Sequence, residues 1–142
     1  MGNPLVYAIL HIKPELHYDI KGVLNRICDH FGVNPKEVPT PLRNKSVSMA
    51  RSYYIISLRF LFGFKFTEIA SKINRKHETA IHHCQVFMDR WVIEDPTTIK
   101  EVNKLFTKTE IETISLNTKE YHEHLSYKRK IGQNRKKRVA KG

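Results

Sequence analysis

The sequence is poor in the features that would assign it to several large classes. Its two cysteines, Cys28 and Cys84, are too few for a disulfide framework and point to a reducing compartment. Among its six glycines none is spaced as G-x-x-x-x-G-K-S/T, so there is no phosphate-cradling loop of the kind ATP-driven enzymes use. Long apolar runs are missing as well. The stretch Leu5-Val6-Tyr7-Ala8-Ile9-Leu10 has six residues, against the roughly 18 a membrane span requires. It lacks the basic flank and small-residue cleavage site of a signal peptide. Met1-Gly2 opens like a myristoylation site, but Val6 stands where Ser or Thr is wanted. Secreted and membrane-associated classes are thereby set aside, and a cytoplasmic protein is expected.

What the chain does have is globular composition and uneven charge. Its 142 residues are 40% hydrophobic and 10% aromatic, enough for one core with appendages. The formal charge is +11, but residues 1–41 are neutral, 42–92 carry +6, 93–124 carry −3 and 125–142 carry +8. The last block, with Lys128, Arg129, Lys130, Arg135, Lys136, Lys137, Arg138 and Lys141, contains no acid. Such a run is equally a solvated tail or a sequence-independent grip on a polyanion. The block at 42–92 differs, because its charges alternate with apolar residues at helical spacing. Charge on a folded surface is the footprint of a polyanion binder.

Periodicity predicts an all-α fold. Residues 1–14 are an N-terminal arm that strand, helical turn or extended chain would each fit. Pro14 then precedes Leu16, Ile20, Val23, Leu24, Ile27 and Phe31 at helical spacings, with Gly32 as the stop. Prolines at 35, 39 and 41 interrupt the helices, leaving a basic loop over 39–46. Ser46 is expected to cap a second, almost all-round apolar helix, the kind found at the centre of a helical domain. It ends at Gly63. Thr67 caps a short helix with Ile69, Ala70 and Ile73, Asn74 breaks it, and another runs from about Arg75 to Trp91. Pro96 opens a further helix expected to reach about Leu116. The domain boundaries are thus 1–14 for the arm, 15–116 for the helical domain and 117–142 for the basic tail.

The segment at about 67–91 is a helix-turn-helix candidate, in which the second helix places its first residues against base edges. On a helical projection Ala80, Ile81, Cys84, Phe87, Met88 and Trp91 share a stripe about 120° wide, which is core. Arg75, Thr79, His82 and Val86 lie opposite, flanked by Lys76, His83 and Arg90. His77 projects nearer the core but sits in the first turn, where it can reach past the helix end. Arg, Lys, Thr and His at a helix N-terminus suit phosphates and base edges.

Three stretches carry a resemblance. Val33-Asn34-Pro35-Lys36-Glu37-Val38 is similar to "V-x-x-x-D/E-L". Arg43-Asn44-Lys45-Ser46-Val47-Ser48-Met49-Ala50-Arg51 is similar to "R-S-R-S-V-A-R-P-R". Arg75-Lys76-His77-Glu78-Thr79-Ala80-Ile81-His82-His83-Cys84 is similar to "R-D-H-T-T-V-L-H-A-C", with Thr67-Glu68-Ile69-Ala70 resembling "P-E-I-G" before it. In this order, over about residues 23–106, they resemble the C-terminal DNA-binding domain of the bacterial replication initiator DnaA. The resemblance implies a Trp-repressor-like helical domain whose basic loop enters the minor groove beside a major-groove recognition helix. Arg43 and Lys45 match loop positions that touch phosphate or the narrow groove, Arg51 and Arg75 further basic contacts, and His77 and Thr79 base or phosphate contacts. Lys76 and Glu78 depart from the family's Asp and Thr, and Asn74 replaces its Gly-Gly, shortening the turn by one residue. The resemblance further implies a free-standing copy without the ATPase domain, of the sort phages or mobile elements encode, in bacterial cytoplasm or nucleoid.

Enzyme readings fare worse. His77-Glu78 and His82 imitate H-E-x-x-H, but the second histidine comes one residue late and is turned by about 140°. Cys84 lies on the apolar stripe and reads as core. The expectation is a non-enzyme without cofactor or metal, binding double-stranded DNA through Arg43, Lys45, Arg51, Arg75, Lys76, His77, Glu78, Thr79, His82 and His83. Its role would lie in replication-origin or transcriptional control. The alternative is a nucleic-acid packaging or virion-associated protein whose tail dominates. Residues 1–14 and 93–124 are the candidates for self-association or a protein partner.

Overall fold

A computed structural model describes residues 19–120 and 122–123, and within them every regular element is helical. The order is α1 (Ile20–Phe31), a 3-10 turn (Pro35–Glu37), α2 (Lys45–Phe60), α3 (Phe66–Ile73), α4 (His77–Val92) and α5 (Pro96–Leu105). A sixth helix, α6, runs over 108–120. The arm at 1–14, Leu16 and the tail from Lys128 to Lys141 lie outside the described residues.

Everything is arranged around α2, as its apolar density dictates. Val47, Ala50, Tyr53, Tyr54, Ile55, Ile56, Leu58 and Phe60 are all buried, and α1, α3 and α4 each pack against it. Burying several full aliphatic and aromatic side chains at about 1.5–3 kcal/mol each makes this helix the largest favourable contribution to the fold. The start is earlier than expected. Asn44, extended at ψ 159°, accepts from the Val47 N–H at 2.9 Å, so Asn44 is the cap and Ser46 falls inside the first turn. The helix α1 contributes Val23, Ile27 and Cys28 to the same core. It stops at Gly32, whose φ of 67° lets the Val33 N–H turn back to the Cys28 carbonyl at 2.8 Å.

The expected helix from Pro96 to Leu116 is instead two helices. Phe106 is extended (φ −120°, ψ 150°) and buried. Thr107 then opens α6: its N–H donates to Glu110 Oε1 at 2.7 Å, and the Glu110 N–H donates to Thr107 Oγ1 at 3.3 Å. This is a reciprocal capping box, and it outcompetes continuation of α5. Glu110 is buried and also accepts from Arg26 Nη1 at 2.5 Å, which fastens α6 to α1. The domain also outlasts its expected end at 116. Asn117 and Thr118 are fully buried, and Asn117 Nδ2 donates to the Phe60 carbonyl at 2.8 Å, tying α6 to the end of α2.

The Glu110 carboxylate therefore serves as cap and ion-pair partner at once. Glu110→Ala is expected to lower unfolding stability by about 2 kcal/mol, and Thr107→Ala by about half of that. Urea denaturation followed by circular dichroism measures both. Equal stability of Glu110→Ala and the unmodified chain would contradict this account.

Candidate nucleic-acid interface

The helix-turn-helix is formed by α3, a turn at Asn74–Lys76, and α4. The first helix begins at Phe66, one residue before the expected Thr67, because the Glu68 carboxylate accepts from the Lys65 N–H at 3.1 Å. Phe66, Ile69, Ala70 and Ile73 are buried. Asn74 is left-handed (φ 53°, ψ 51°), a conformation asparagine tolerates better than most residues, and this lets a short turn do without Gly-Gly.

Ala80, Cys84, Phe87 and Met88 of α4 are buried, and Ile81 and Trp91 half-buried, so the stripe read from the sequence is the packed one. The opposite face is left for solvent. Lys76, His77, Glu78, His82 and Arg90 are exposed, while Thr79 and His83 are half-buried. His77 and Glu78 stand side by side, Nδ1 to Oε2 3.5 Å, with side chains 52% and 68% exposed. A donor-rich lysine, an imidazole and an acceptor-only carboxylate thus project together from one helix end.

The basic loop meets this helix through two arginines. Arg51, expected on the DNA backbone, is corrected by the structure: it is 5% exposed and points inward. Its Nε donates to the Val38 carbonyl at 2.8 Å, and its Nη2 donates to the carbonyls of Thr40 at 2.8 Å and Leu42 at 2.9 Å. Burial first, then Arg75 and Arg43, pull its pKa below the ordinary arginine value. From the turn, Arg75 Nη2 donates to the same Thr40 carbonyl at 2.8 Å, and its Nη1 donates to the Asn74 carbonyl at 3.1 Å. Arg43 and Lys45 remain exposed.

Between loop, α2 and α4 lies a cleft of about 410 Å³ lined by Arg43, Ser48, Arg51, Arg75, Thr79 and His83. Three guanidinium groups, two hydroxyls and no carboxylate make it an anion-accepting surface. His83 sits on the α2 side of this cleft. Its Nδ1 is 3.1 Å from Ser52 Oγ, and burial, then His82 and Arg51, hold its pKa below the usual histidine value. His83, expected as a DNA contact, thus lies half-buried at the α2–α4 seam while still lining the cleft. Ser48, Ser52 and the Thr40 carbonyl were not foreseen. The two serines are ordinary in sequence, and a carbonyl has no sequence signal.

Cys84 is fully buried, and burial pushes its thiol up to about 12, as expected of a core cysteine. Among the described residues no three His, Cys, Asp or Glu side chains gather as metal ligands, and no helix is long and apolar enough to cross a membrane.

Residues 20–86 match the family model described as the bacterial DnaA protein helix-turn-helix. Over these residues, just under half of the chain, it is similar to the DnaA helix-turn-helix family. The chain is also 33% identical over 63 residues to the chromosomal replication initiator protein DnaA of Pseudothermotoga lettingae. The aligned part is 44% of this chain and 14% of that relative, so the chain spans a small fraction of the initiator's length. No solved structure matches significantly. The DnaA family match takes in α1, the loop, α2, α3 and the first turns of α4, and with them every proposed groove-facing residue. The family is a DNA-binding domain and not a catalytic one. Helices α5 and α6 lie beyond the matched DnaA segment.

The lowered pKa of His83 makes stability depend on pH with a definite sign. Its folded pKa is below the unfolded one, so the unfolded chain takes up a proton first as pH falls below about 6.5. The stability held by neutral His83 is complete above that pH and declines below it, until the folded form also protonates. The fall in Tm between pH 7 and pH 5 is expected to be smaller for His83→Gln than for the unmodified chain. Parallel curves in a thermal melt series would show that His83 is not the group responsible.

Proposed function

We propose that this chain binds duplex DNA sequence-selectively, with the N-terminal end of α4 in the major groove and the loop at 39–46 in the adjacent minor groove. The observation that carries the reading is the shared Thr40 carbonyl. Arg51 from α2 and Arg75 from the turn both donate to it, so the loop and the first turn of α4 form one surface. A DnaA-type domain with that surface exposed and cationic is suited to control at a replication origin or a promoter.

The roles follow from chemistry. Arg43 and Lys45 meet the narrow groove and its phosphates, where positive charge is favoured. Lys76 and His77 offer donors to guanine O6 and N7, while Thr79 and His82 reach bases or phosphates further along the helix. Glu78 is the informative residue. An acceptor-only group is repelled by phosphate, and the donors the major groove offers it are the amino groups of cytosine and adenine. The eight basic residues of 125–142 add affinity that is indifferent to sequence, through counterion release.

Selection from a random duplex library at stated salt tests the reading, and an enriched motif is expected. Lys76→Ala with Glu78→Ala is expected to change the preferred bases while leaving the salt slope nearly intact. Arg43→Ala is expected to weaken all duplexes and lower that slope by about one. Absence of any enriched motif, or equal loss on every duplex for the double change, would overturn the assignment.

A further inference from the structure

We propose that Arg51 is a positioning residue for DNA binding: it builds the minor-groove loop in the free protein, and Arg75 couples that loop to the recognition helix. This rests on the two-groove reading above and assigns to a buried side chain a part of it that no exposed residue supplies.

The loop has little else to hold it. Val38 is buried at its start, and Thr40 Oγ1 donates to the Glu37 carbonyl at 2.5 Å. Beyond that, Pro41, Leu42, Arg43 and Asn44 are all exposed, Leu42 with 47% of its surface. Apolar burial therefore does not fix the path of residues 41–44. Hydrogen bonding does. The carbonyls of Val38, Thr40 and Leu42 alternate along the chain, and all three are taken by one guanidinium. A planar, always-charged fork with five donors can bridge such a set, whereas an ammonium is a point charge and a neutral side chain offers too few donors. With Leu42 fixed, the next residue, Arg43, is delivered to the rim of the cationic cleft. Arg75 closes the circuit from the turn that precedes α4. The distance between the minor-groove cation and the major-groove side chains is thus set before DNA arrives, and the ordering cost of the loop falls on folding and not on binding.

Arg51 then acts through Arg43, which gives it a signature distinct from a phosphate contact and from a general stabiliser. In Arg51→Met, affinity for the selected duplex is expected to drop about 10-fold or more, and adding Arg43→Ala should cost almost nothing further. Lys76→Ala should retain its full effect in the same background. Additive losses for Arg51→Met and Arg43→Ala would overturn the proposal, as would unchanged affinity in Arg51→Met. A second measurement needs neither the variant nor DNA. Backbone 15N relaxation of the free, unmodified chain should give residues 40, 42, 43 and 44 order parameters near the helical value of about 0.85, and values below about 0.6 would refute a prebuilt loop. If the duplex library returns no motif while these residues are rigid, the two-groove reading fails and the positioning of the loop stands.

Discussion

One carbonyl oxygen organises the binding surface. The Thr40 C=O accepts from Arg51, which rises out of the central helix α2, and from Arg75, which sits in the turn ahead of α4. Three parts of the chain, the loop, α2 and the turn before α4, are joined there by charge-assisted hydrogen bonds, which are stronger than neutral ones and directional. Two guanidinium groups around one acceptor repel each other, and Arg43 adds a third positive charge nearby. A surface of this kind is electrostatically tense in isolation and is relieved by an anion. The constraint that shapes the loop thus also concentrates its positive charge.

The remainder of the fold keeps that arrangement rigid. The core of α2 sets the direction from which Arg51 emerges, and the packed stripe of α4 determines that Lys76, His77 and Glu78 look outward. On the other side, the −3 segment supplies structural acids. Glu110 pairs with Arg26, and Glu101 pairs with His30 at 2.7 Å, so α5 and α6 are drawn onto α1. These two acids serve the fold and are not free to neutralise the basic tail. Helices α5 and α6 extend the DnaA-type segment at its C-terminal side with contacts that reach back to the end of α2.

Much of this was legible from the residues alone, and the exceptions have physical causes. The centrality of α2 and the packed face of α4 follow from apolar spacing, which reports burial directly. The break at Phe106 was also in the sequence, as Thr107-Lys-Thr-Glu110, but an apolar pattern running from Pro96 masked the capping box. The sense of Arg51 was hidden for a different reason. An arginine in a basic, DNA-binding stretch reads as a contact, and only its burial shows that its partners are backbone carbonyls, which carry no residue-specific signal. The setting of His83 was hidden likewise, since its contact with Ser52 and its partial burial against α2 carry no sequence signal. In the first turn of α4 periodicity alone put His77 nearer the core, and its exposure follows from its place at the helix end.

The central claim is that two grooves of one duplex are engaged by parts of the protein locked to each other. Methylation interference with dimethyl sulfate on the selected duplex addresses it directly, because the reagent marks guanine N7 in the major groove and adenine N3 in the minor groove. The account predicts interference at guanine N7 where α4 binds, and at adenine N3 on the adjacent minor-groove face, with the second set lost in Arg43→Ala. Interference confined to one groove, or a minor-groove signal indifferent to Arg43, would contradict it.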